Sequence, residues 1–167
     1  MSDDIDLPDA HAVTVGSIGP PGRRAFYLQV WHAGDVHTLR LEKQQVAALG
    51  EAITELLRDL PVPAGDLPDL PEVVDVGDPD WVVGTMGVTG IDETSGRVVL
   101  VLQELTIEDD APAGAQARLG LSLEQLAALA ARCEHSVAGG RPNCALCGRP
   151  MDPEGHVCPK TNGHATH

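Results

Sequence analysis

Only four aromatic side chains occur in 167 residues: Phe26, Tyr27, Trp31 and Trp81. Stacked rings cannot carry the core, which must come from Val, Leu, Ile and Ala within the 43% apolar content. Positive charge is scarce too, with 11 Lys and Arg against 25 Asp and Glu, a formal net charge of −14. Such a chain repels nucleic acid and anionic membrane at long range, so neither is an expected partner. No apolar run approaches the ~18 residues that span a bilayer. The opening Met1-Ser2-Asp3-Asp4-Ile5-Asp6 lacks the cationic and apolar regions of a signal peptide, so a cytoplasmic protein is expected. There is no GxSxG elbow and no HExxH helix. "VGSIGPPG" (Val15–Gly22) has glycines but not the Lys-Ser/Thr end of a phosphate loop. Cysteine is missing from nearly the whole chain: before residue 144 there is one, Cys133.

The length suits one medium domain with a small appendage, and a chain this size buries roughly two-thirds of its unfolded surface. Two stretches are alike. "LRLEKQQVAAL" from Leu39 and "LGLSLEQLAAL" from Leu119 match at six of eleven positions, and "VGSIG" from Val15 resembles "VGTMG" from Val83. An internal duplication is the expectation. In the first half "AVTVGSI", "AFYLQVW" and "VHTLRL" read as strands by β-branched and aromatic content. A helix begins near Glu42, with Val46, Leu49, Ile53, Leu56 and Leu60 on one face. In the second half "WVVGTMGVTGI", "RVVLVLQELTI" and "ARLGL" are the strands. Ser122 and Gln125 then form a capping box for a helix that Gly139, Gly140 and Pro142 end.

Short hairpins pair antiparallel, because parallel neighbours need long crossovers. The expected fold class is therefore α+β. Two tandem β-β-β-α repeats form an antiparallel six-strand sheet with a pseudo-two-fold axis and helices on one face, and a small C-terminal zinc knuckle follows. The expected domains are 1–60 (first repeat), 61–80 (linker), 81–140 (second repeat) and 141–167 (zinc-binding tail). The linker "PVPAGDLPDLPEVVDVGDPD" holds five prolines and six acids and reads as semi-extended and solvated.

The tail "CALCGRPMDPEGHVCPKTNGH" gathers Cys144, Cys147, His156 and Cys158 in a C-x2-C-x8-H-x-C pattern. The two-residue gap lets both thiolates of the first pair converge on one ion, and Gly148 accepts the turn. His156 and Cys158 lie two apart on an extended segment and so face the same side. Thiolate and imidazole donors favour Zn2+ over hard cations. The expected metal ligands are Cys144, Cys147, His156 and Cys158. His164 is an alternative fourth donor, and Cys133, on the apolar helix stripe, is a weaker one. With four protein ligands the site is closed and structural; with three thiolates alone a position stays open. Residues 139–167 carry Arg141, Arg149 and Lys160 against Asp152 and Glu154, net +1, while residues 1–138 are net −15.

"LEKQQV" after a strand, together with "AGGRPNCALCGRPMDPEGHVCPKTNGH", resembles an uncharacterised actinobacterial family, domain of unknown function 3090. The likeness runs along essentially the whole chain and implies no activity. It implies that the cysteine pairs and the Gly-His-x-Cys-Pro stretch are shared while the position of His164 is often not histidine, which favours His156.

Other candidates have plainer readings. Asp75, Asp78 and Asp80 could hold a hard cation but belong to the acidic linker. Arg23 and Arg24 could meet an anion but sit in a turn. His11, His32 and His37 stand in or beside strands. The function expected is a zinc-containing, non-enzymatic interaction or scaffold protein whose partner is another protein, bound in a groove where the repeats meet or clamped by the tail. The alternative is an enzyme with residues drawn from both repeats. Nucleic-acid binding by the tail has net charge and the lack of aromatics against it.

Overall fold

The computed structural model describes residues 2–74, 77–108, 111–139, 144–149, 151, 155–161 and 165–166. Asp75, Gly140, Arg141, Pro142, Pro150, Asp152, Pro153 and His164 lie outside these described residues. Seven strands make one sheet: β1 (Ile5–Leu7), β2 (Ala12–Ile18), β3 (Ala25–His32), β4 (Asp35–Leu41), β5 (Trp81–Asp92), β6 (Arg97–Glu104) and β7 (Gln116–Leu121). Helix α1 (Lys43–Leu57) follows β4, and α2 (Leu123–Ala138) follows β7. The architecture is mixed α+β, and each half runs strand, strand, strand, helix from β2 and from β5.

The sheet order is β1-β7-β6-β5-β4-β3-β2. The expectation of six antiparallel strands needs correction. Within each half the pairing is antiparallel, but β4 pairs β5 in parallel (Leu39 with Trp81) and β1 pairs β7 in parallel (Ile5 with Ala117). The chain between Leu41 and Trp81 supplies the long crossover that a parallel neighbour requires, through α1 and the segment after it. The seventh strand, β1, is three residues long, too short for its alternation to stand out.

Strands β1 and β2 occupy opposite edges of this order, yet only Pro8–His11 join them. A flat sheet would separate the two by about 29 Å at its usual strand spacing, whereas the link reaches only about 17 Å. The sheet must therefore curl until its edges approach. Ala10 N–H reaches Gly120 C=O of β7 at 3.2 Å, while His11 N–H reaches Trp31 C=O of β3 at 3.0 Å.

The concave interior holds Val13, Val15, Leu28, Val30, Leu39 and Leu41 from the first half, with Val98, Leu100, Leu102, Leu119 and Leu121 from the second. Val46, Leu49 and Ile53 of α1 and Leu126, Leu129 and Cys133 of α2 join the same core. Each helix start is held in the same way. Gln45 Oε1 accepts the Glu42 N–H, and its Nε2 donates to the carbonyls of Val83 and Gly84. Gln125 Oε1 accepts the Ser122 N–H, and its Nε2 donates to the carbonyls of Ala10 and His11. The glutamine thus satisfies an orphan N–H of its helix; Gln45 also ties α1 to β5, and Gln125 ties α2 to the link just before β2.

The acidic segment is not wholly solvated, which corrects the expectation. Residues 63–69 are exposed, but 70–74 lie as a strap on the outer face of β2 and β3. Gln29, fully buried on β3, donates Nε2 to the Val74 carbonyl at 3.1 Å and accepts the Val74 N–H at 2.9 Å. Val73 lies over Gly16, where a Cβ would meet its Cγ2 at 2.7 Å. Arg132 donates to the Leu70 carbonyl at 2.9 Å and pairs with Glu72 at 2.7 Å. A buried glutamine amide offers one donor and one acceptor side by side, so it grips an extended backbone as a neighbouring strand would.

Candidate metal centre

After α2 the chain makes a tight knuckle. Gly148 N–H donates to the Cys144 carbonyl at 2.8 Å, and Cys144 N–H to the Arg149 carbonyl at 2.8 Å. Gly148 has φ +74°, a left-handed conformation that glycine adopts without a Cβ penalty. The turn aims backbone amides at sulfur. The N–H groups of Cys147 and Leu146 point at the Cys144 sulfur and lower its pKa to about 7, against the opposing effect of desolvation. The Arg149 N–H favours a thiolate at Cys147, but desolvation and the neighbouring sulfurs of Cys144 and Cys158 outweigh it and leave that thiol raised.

The second arm is extended. Gly155, at φ +94°, turns the chain into β8 (His156–Val157), which pairs antiparallel with β9 (Ala165–Thr166). Strand alternation sends His156 and Cys158 to one side and Val157 to the other, and the burial agrees: Cys158 is fully buried and Val157 is 68% exposed.

The donor atoms of Cys144, Cys147, His156 and Cys158 all lie within 4.8 Å of one another. The Cys144 and Cys158 sulfurs are 3.9 Å apart, and the Cys147 sulfur is 3.3 Å from His156 Nε2. Four donors at ordinary Zn–S and Zn–N bond lengths around a tetrahedral ion would stand about 3.8 Å apart for two sulfurs and about 3.5 Å for sulfur and nitrogen. The two recorded distances are close to those edges, and every other donor pair lies within 4.8 Å. At 3.9 Å the nearest recorded sulfurs are also far from a disulfide bond of about 2.05 Å. His156 Nδ1 is buried without a partner among the described residues, while Nε2 faces the sulfurs. An imidazole binding an ion through Nε2 carries its proton on that other nitrogen.

Cys133 lies elsewhere, in the core where α2 crosses α1, and burial pushes its thiol up to about 12. His164 and Asp75 fall outside the described residues. Asp80 Oδ2 accepts the Thr38 N–H at 2.7 Å, so that carboxylate fastens the β4–β5 seam. The Arg24 guanidinium rests against Gly139 at the end of α2, where a cation suits the helix carbonyls. His11 and His32 sit ring to ring at 4.6 Å. That nearby amides reach the sulfurs follows from the glycine after the Cys-x-x-Cys pair; the structure identifies them as those of Leu146, Cys147 and Arg149.

No helix of the described residues is long and apolar enough to cross a membrane. A family model described as "Protein of unknown function (DUF3090)" matches residues 6–158, from within β1 to the last cysteine of the cluster. No curated protein and no solved structure matches the chain.

Proposed function

The chain belongs to the DUF3090 family, whose description carries no activity to inherit, and we propose that it is a zinc-holding, non-enzymatic interaction protein. The observation that carries this reading is the convergence of three thiols and one imidazole within 4.8 Å. Cys144, Cys147, His156 and Cys158 are the ligands and Zn2+ the ion, because this donor set is soft and tetrahedral. Four protein donors leave no position for water or substrate, so the zinc is structural and folds the tail. The family match supports His156 over His164, since residues 6–158 take in every donor of the cluster and stop short of His164.

In this reading 1–140 is the body, with 61–80 the segment joining its halves, and 141–167 is a separate zinc module. The halves 1–60 and 81–140 are copies of one unit. Support comes from the shared element order and from Gln45 and Gln125, which accept the N–H of the residue that caps their helix in the same way. Zinc-bound thiolates suit a reducing, cytoplasmic setting, and the partner is another protein.

Metal analysis of the purified full chain tests the assignment, with His156→Ala and His164→Ala alongside. One zinc per chain, labile to chelator only in His156→Ala, is the expected result. A chain without zinc overturns the reading. Zinc held equally in both variants overturns the closed site.

A further inference from the structure

Away from the tail, α1 and α2 leave an open cleft of about 460 Å3 between Ala47–Arg58 on one side and Ala130–Val137 on the other. Its lining draws on both halves of the chain. The floor is apolar and low: Ala47 and Gly50 from α1, Ala130 and Val137 from α2. Gly50 sets its depth, because a Cβ there would stand 2.9 Å from the Cβ of Cys133, so the helices cross closely with no side chain between them.

The rim is anionic. Glu51 and Glu55 stand on one side and Glu134 on the other. Arg58 is the cation in the lining, and it is committed to Glu55 at 2.8 Å. Glu51 and Glu134 make no ion pair among the described residues. Arg58 at the cap of α1 and Arg24 beside Gly139 at the end of α2 stand at the helix carbonyl ends, so the charge left to a guest is that of Glu51 and Glu134.

An apolar floor beneath a rim on which two carboxylates, Glu51 and Glu134, have no ion pair among the described residues fits an aliphatic stem that ends in a cation. We infer that the cleft is a docking pocket for a lysine side chain presented by a partner protein. The methylenes lie along the alanine and glycine floor, and the ammonium reaches Glu51 and Glu134. Two carboxylates on separate helices suit a compact charge with three donors better than the planar fork of arginine. The cleft is open along the helices and of ordinary small-ligand size, so it admits the residues beside the lysine, which is why the guest is a polypeptide. This site is independent of the zinc.

The test follows backbone amide resonances of the full chain in titrations with N-acetyl-lysine methylamide, its norleucine counterpart and n-butylamine. Saturable shifts at Gly50, Thr54, Ala130 and Val137 with the lysine probe are expected. Two exposed ion pairs should make the norleucine probe about five- to tenfold weaker, and Glu51→Gln with Glu134→Gln should weaken the lysine probe equally. Both substitutions are on exposed helix faces, so the fold is retained, and unchanged resonances elsewhere verify that. Shifts that never saturate, equal binding of the norleucine probe, or undiminished binding by the double variant would each overturn the inference. Butylamine binding as tightly as the lysine probe would assign the cleft to a free amine and overturn the polypeptide guest.

Discussion

Replacing Gln29 with leucine isolates what holds the strap to the sheet. Leucine roughly preserves the volume and removes three hydrogen bonds: Nε2 to Thr38 Oγ1 at 3.1 Å, Nε2 to the Val74 carbonyl at 3.1 Å, and the Val74 N–H to Oε1 at 2.9 Å. Each bond is worth about 1 kcal/mol net, which sets a ceiling near ~3 kcal/mol. Two effects lower it. Val74 is 49% exposed, so its freed backbone groups regain water once the strap lifts. The leucine also buries more apolar surface at a position with no solvent access. About 1–2 kcal/mol remains, which for a chain of this length corresponds to roughly 3–6 °C in Tm. Urea unfolding gives the first number. Hydrogen exchange at the Val74 amide gives the decisive one, because that amide loses its acceptor and should exchange many-fold faster while β3 stays protected. A stability change under about 0.5 kcal/mol with unaltered exchange at Val74 would refute the claim that Gln29 clamps the strap.

Two further outcomes follow from the same coordinates. The Cys133 thiol, pushed up to about 12 by burial, keeps its proton in the folded chain after an unfolded thiol, at about 8.5, has lost it. The native state then binds more protons, so stability should fall by about 1.4 kcal/mol per pH unit above about pH 8.5 and level off near 12. Cys133→Ala should flatten that slope in pH-dependent urea titrations while costing some stability at neutral pH. At Gly120 an added Cβ would run into the Pro8 carbonyl, so Gly120→Ala should cost about 2 kcal/mol or more. Its mark would be selective: faster exchange of the β1 amides before global unfolding.

The six long strands were legible because each is a β-branched or apolar run bounded by turn residues; "AVTVGSI" coincides with β2 and "AFYLQVW" lies within β3. The capping box at Ser122 and Gln125 was legible for the same local reason. The parallel seams were not, since β4 and β5 meet only after a helix and a long connecting segment, and Ile5–Leu7 finds its partner at the far end of the chain. The strap misled because Pro and Asp signal solvation, whereas its docking rests on residues distant in sequence: Gln29, 45 residues before Val74, and Arg132, about 60 residues after Leu70 and Glu72. The Cys/His cluster was the most legible feature, because its spacing encodes a local fold: a turn that brings two sulfurs together and a strand that points two side chains one way. Amide bonds to the sulfurs were expected as well; which amides make them, those of Leu146, Cys147 and Arg149, was not.

The seam between β1 and β7 also sets a timetable. Ile5 meets Ala117, a partner 112 residues later in the chain. At about 5–20 residues per second, ribosomal synthesis leaves that edge open for roughly 5–20 s. The β4 edge waits too, until Trp81 arrives opposite Leu39. However alike the two halves are, the first cannot close on its own during synthesis: β4 waits for β5, β1 waits for β7, and the side of α1 that meets α2 stays uncovered until α2 has emerged. Contacts this distant along the chain make closure of the sheet a late and slow event. The acidic excess of the first 138 residues, −15 in net charge, then does a second service by keeping half-finished chains from pairing with one another.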